Sequence, residues 1–184
     1  MKQASVSRAL LAFAFIATLA GAAHAATLRI FSYDPANSDT RQAAGALTFE
    51  FLQRIMSIKI LRVRATEGAA LADLKPADER ALGHGGLSAL IGPGAPERAL
   101  YEVQPKDDGQ ALISAFCPGA KHAWMSFGRL LNDADLRVFV LGDGGAGGAT
   151  RLCHTLDFTF HGEWRLPPGR PFDMHQLDHP RFGY

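Results

Sequence analysis

The chain has two cysteines, Cys117 and Cys153, and no others. Their settings constrain the fold more than any other feature. Cys117 closes a short apolar helix, at the stop Cys117-Pro118-Gly119. Cys153 sits in a segment that alternates like a strand. Neither belongs to a C-x-x-C or C-x-x-C-H motif, so thioredoxin-like redox chemistry and haem attachment lack their sequence. In an oxidising compartment the simplest outcome is one structural disulfide tying that helix to the sheet.

The N-terminus points to such a compartment. Lys2 and Arg8 give a positive start, and Ala9 to Ala23 is apolar and uncharged. Ala23-His24-Ala25 has the small-x-small form of a cleavage site. This is a secretory signal pattern, and an apolar run of about 15 residues is short of the roughly 20 a spanning helix needs. The alanine-rich style suits a bacterial signal. The expected product is a periplasmic or extracellular protein starting at Ala26, with no stable membrane anchor. Losing Lys2 and Arg8 takes the formal charge from +1 to −1, which argues against a nucleic-acid partner, since that needs a basic patch. The expected organisation is a leader over 1–25, one domain over 26–166, and a proline-led tail over 167–184.

Period-two patterns predict strands over Thr27 to Tyr33, Ala46 to Arg54, Ser57 to Thr66, Ala99 to Gln104, His122 to Leu131, Leu136 to Leu141 and Arg151 to Phe160. In the third, Ile58 and Ile60 fall out of phase with Leu61, Val63 and Ala65, which suggests a bulge near Ile60 or a strand covered on both faces. From Glu67 the composition turns to Ala, Leu and charge. Pro76 can open a helix there, and Gly83-His84-Gly85-Gly86 breaks it. Asp107 or Asp108 can cap a helix carrying Leu112, Ile113 and Phe116. The order βββ-α-β-α-βββ predicts an α+β fold: an antiparallel sheet of about six to seven strands, two short helices on one face, and one disulfide. In the last strand Cys153 falls on the polar set, so the disulfide is expected to cover the face opposite the Leu/Phe core.

Few residues announce chemistry. Gly142 to Gly148 lacks the Gly-Lys-Ser/Thr ending of a phosphate loop and leads into a strand, so it reads as a hairpin loop. His175 and His179, spaced i, i+4 beside Asp173 and Asp178, could take a divalent transition metal that suits imidazole, although Pro180 limits any helix there. Asp157 and His161 share the outer face of the last strand. At about 3.3 Å per residue they stand about 13 Å apart, so any surface site there needs a partner from another strand. His84 among its glycines reads as a helix stop. Trp124, Phe127, Arg129, Arg137 and Phe139 alternate on the central strands, and their outward members could line a groove.

No catalytic motif such as G-x-S-x-G or H-E-x-x-H occurs. The leading expectation is a non-enzymatic envelope or extracellular protein that binds a ligand or an envelope partner. The alternatives are a metal-binding protein using the C-terminal histidines, and a hydrolase whose site is assembled from distant residues.

Overall fold

The computed structural model describes residues 26–55, 57–93, 99–144 and 148–164. These form eight antiparallel strands, each paired with its neighbour in sequence and the last paired with the first, so the sheet closes into a barrel. The strands are β1 (Thr27–Pro35), β2 (Leu47–Gln53), β3 (Ile58–Ala65), β4 (Ala70–Pro76), β5 (Ala99–Val103), β6 (Ala123–Phe127), β7 (Leu136–Gly142) and β8 (Arg151–Trp164). Three short α-helices interrupt them, α1 (Ser38–Ala44), α2 (Gly86–Ile91) and α3 (Gly109–Phe116), with two 3₁₀ turns at Glu67–Ala69 and Glu79–Leu82. The expected open α+β sheet is therefore corrected to a closed barrel.

Two local misreadings account for the difference. Ala70 to Pro76 is built from helix formers, yet it is a strand. Ala70, Ala72 and Leu74 are buried inside, and Pro76 ends β4 opposite Tyr101 instead of opening a helix. Tertiary pairing overrides propensity here, and β4 is the strand that joins β3 to β5. Closure also needs a long last strand. β8 has 14 residues; its first part pairs with β7 and its second with β1.

The barrel bends at three bulges. Glu50 pairs with Arg62 while Phe51 pairs with Ile60, so Leu61 is the extra residue, beside the Ile60 irregularity expected from the sequence. His161 is extra where β8 meets β1, and Cys153 is extra where β8 meets β7. That third bulge overturns the expected direction of the disulfide. Counted by strict alternation Cys153 belongs to the polar set, but the bulge turns it onto the main core.

The interior is largely filled by aromatic rings. Phe31 meets Phe51 and Phe160 edge-on at 4.9 and 5.3 Å, and Tyr33 meets Phe49 and Phe160 at 6.1 and 5.6 Å. These are favourable edge-to-face geometries. One end of the barrel is plugged. α1 crosses from β1 to β2, capped by Asn37, whose side chain accepts from the Thr40 N–H at 2.8 Å. α3 sends Leu112, Ile113 and Phe116 into the same core as the barrel rings. The Cys117–Cys153 disulfide, with 5.4 Å between Cα atoms, locks the C-terminus of α3 to the start of β8. Gly142 lets it pass: a β-carbon there would overlap the Cys117 sulfur.

A second, smaller core lies outside the barrel. The excursion between β4 and β5 folds back so that Leu82 and Leu87 cover Leu100, Trp124 and Leu141. No helix among the described residues is long and apolar enough to cross a membrane.

Candidate functional site

The other end of the barrel is less completely filled. The turn from β2 to β3, the start of β5 and the connection from β6 to β7 surround a half-open cavity of about 560 Å³, within the range of small-molecule sites. Its floor is aromatic. Ala99 pairs with Phe127 across β5 and β6, and the Tyr101 and Phe127 rings stack with centroids 5.1 Å apart and planes 12° apart. Phe127 in turn touches Phe49 at 5.0 Å, which seals the cavity from the interior below. Ile60 and Leu130, both buried, complete the apolar wall.

The rim is apolar where turn chemistry normally places Gly, Asn or Asp. Ile55 is 74% exposed, Leu131 52% and Ile58 37%, and all three line this cavity. Single exposed apolar residues are ordinary; three around one concave opening form a patch of the sort that marks a binding surface.

The polar side chains of the described lining, Gln53, Arg54, Ser57, Tyr101 and Arg129, can all donate hydrogen bonds. Arg54 and Arg129 are exposed at the rim, and neither makes an ion pair with a described residue. The Tyr101 phenol has its pKa raised by burial, so it stays protonated and can donate. Gln53 spends its carbonyl oxygen on Arg29, which donates to it at 2.5 Å, so its amide N–H groups remain. Among the described residues the lining contains no Asp, Glu or His. Just inside the same end, Arg29 packs over the Phe31 ring at 4.6 Å and donates two hydrogen bonds to Glu163 at 2.7 Å each. That bidentate pair joins β1 to β8 and neutralises Arg29, so among the described residues of this end the rim arginines are the charges without an ion pair.

The residues singled out in the sequence lie elsewhere. Asp157 accepts from Arg137 Nε at 2.6 Å on the outer wall between β7 and β8. His161, thrown outward by its bulge, meets Asp34 Oδ2 at 2.8 Å through Nδ1. The two thus join separate pairs, Asp157 with β7 and His161 with β1. His84 is exposed between the left-handed Gly83 and Gly85, where a 3₁₀ turn ends and α2 begins. His175, His179, Asp173 and Asp178 lie outside the described residues, as does the whole tail over 167–184. Among the described residues no three His, Cys, Asp or Glu side chains gather as a metal site.

Of the alternating aromatic and arginine set, Phe127 and Arg129 belong to the cavity. Trp124 faces outward and is covered by the second core, not left open as a groove. Sequence reasoning missed the rest of the rim. The available signal was Arg54-Ile55-Met56-Ser57-Ile58 and Leu130-Leu131, apolar residues placed in connections. No protein-family model, curated protein or solved structure matches this chain.

Proposed function

We propose that this chain is an exported binding protein without catalytic activity, which holds one small, largely apolar ligand at the open end of its barrel. The observation that carries this is the cavity of about 560 Å³, floored by Tyr101 and Phe127 and rimmed by exposed Ile55, Ile58 and Leu131. Small eight-stranded barrels either fill their interior with side chains or hold one small ligand. This one does the first at its plugged end and leaves room for the second at the other. The lining offers an apolar wall and hydrogen-bond donors, an arrangement for holding a ligand. Export is supported by the leader pattern in the sequence and agrees with the disulfide, which needs an oxidising compartment.

The test is native mass spectrometry of untagged protein isolated from the envelope fraction, paired with calorimetric titration of medium-chain amphiphiles. Ala99→Trp places an indole in the cavity and is expected to abolish binding while the protein stays folded. Equal binding by the wild type and the filled variant would place the ligand elsewhere and end this reading.

A further inference from the structure

The ligand class can be narrowed from the charge of the rim. We infer that the barrel mouth selects a compact anionic amphiphile, with its carboxylate-like head between Arg54 and Arg129 and its apolar body against Tyr101, Phe127 and Ile60. This rests on the reading of the cavity as a ligand site.

Three observations converge on it. Two cations flank the opening with no ion pair to a described residue, and the described lining holds no carboxylate to offset them. A ligand carrying a negative head therefore gains charge-assisted hydrogen bonds that a neutral one forgoes. The remaining polar side chains, the Tyr101 and Ser57 hydroxyls and the Gln53 amide, all have protons to give to an acceptor, and none carries a negative charge to hold a cationic head. Finally, the floor limits depth. Phe127 against Phe49 closes the interior, so the apolar part must be short or compact, and an extended acyl chain would have to leave through the mouth.

The experiment compares octanoate, octan-1-ol and octylamine by calorimetric titration at low salt and near-neutral pH. The three share one apolar chain and differ at the head. The wild type is expected to bind octanoate about tenfold or more tighter than octanol. That preference should shrink as salt is raised, because the arginines are exposed. In the double variant Arg54→Gln with Arg129→Gln, octanoate should fall to the level of octanol. Retained octanol affinity would show the cavity intact. Equal wild-type affinity for octanoate and octanol overturns the anion selectivity and leaves the cavity reading standing. So does tighter binding of octylamine. A carboxylate preference that survives the double variant overturns the assignment to these arginines. Failure of all three ligands to bind overturns this inference and the proposed function together.

Discussion

Replacing both cysteines by alanine, Cys117→Ala with Cys153→Ala, removes a cross-link that closes a 36-residue separation. In the chain-entropy treatment a loop of this length stabilises the folded state by about 4 kcal/mol, through the freedom it takes from the unfolded chain. Alanine is the right replacement because Cys117 is fully buried, and serine would add an unpaired hydroxyl. The variant loses some packing against the core as well, so about 4 kcal/mol is the expected size with no strain relief. For a domain of this length that lowers the melting temperature by about 8–16 °C. Equilibrium urea unfolding separates the causes. The midpoint should fall and the m-value should rise, because the unlinked unfolded chain exposes more surface. A midpoint shift worth under about 1 kcal/mol, with the m-value unchanged, would refute the reasoning. It would mean that the apolar face of α3, through Leu112, Ile113 and Phe116, holds the plug in place without the bond.

Gly109→Ala should cost about 1–3 kcal/mol, since its new methyl meets the Gln104 carbonyl oxygen; Gly128→Ala, with open space at the same position, should be close to neutral by thermal melting. Glu50, buried on β2 near Arg62, has its pKa raised mainly by desolvation. Between its unfolded value of about 4.3 and its higher folded value the native state binds the extra proton, so stability should fall as pH rises through that window. Glu50→Gln should flatten that part of the curve, and an unchanged slope of urea midpoint against pH would count against it. Ile55→Ser with Leu131→Ser, both more than half exposed, should change stability by no more than about 0.5 kcal/mol at each site while weakening amphiphile binding several-fold. A large drop in melting temperature with affinity intact would make the rim structural.

Seven of the eight strands were legible because apolar and polar residues alternate along them, with β-branched or aromatic side chains at several positions of each. β4 was not. Its sequence, Ala70-Leu71-Ala72-Asp73-Leu74-Lys75-Pro76, carries alternation in faint form, with small alanines where other strands carry phenylalanine. What makes it a strand is pairing with β3 and β5, a long-range effect that no local window contains. α1 was hidden for the opposite reason: Asn37, Ser38 and Asp39 look like a turn, and Asn37 is in fact a helix cap. Closure itself was illegible. An open sheet and a barrel share the same alternation, and only the pairing of Ile30 to Pro35 with Phe158 to Trp164 distinguishes them. The site was legible only in part, because its rim lies in turns, where sequence patterns carry least information. Phe127 and Arg129 stood out by alternation, whereas Ile55, Ile58 and Leu131 gain meaning only once the barrel brings two connections to one opening.

The two ends of the barrel divide the physical tasks between them. At the plugged end, α1, α3 and the disulfide bury every large apolar group they bring, and the aromatic rings below continue that core without a break. At the open end the chain leaves Ile55 and Leu131 largely in water, although fully burying such a side chain is worth about 1.5–3 kcal/mol. A barrel can carry that unfavourable exposure only if its stability is secured elsewhere, and here the disulfide and the helical plug lie at the opposite end. A ligand that covers the rim would therefore recover burial that folding alone leaves unused, and would stabilise the folded state in proportion to its affinity. The rigid, cross-linked end keeps the open one in shape. This is how a protein of modest size can present a preformed apolar cavity without collapsing into it.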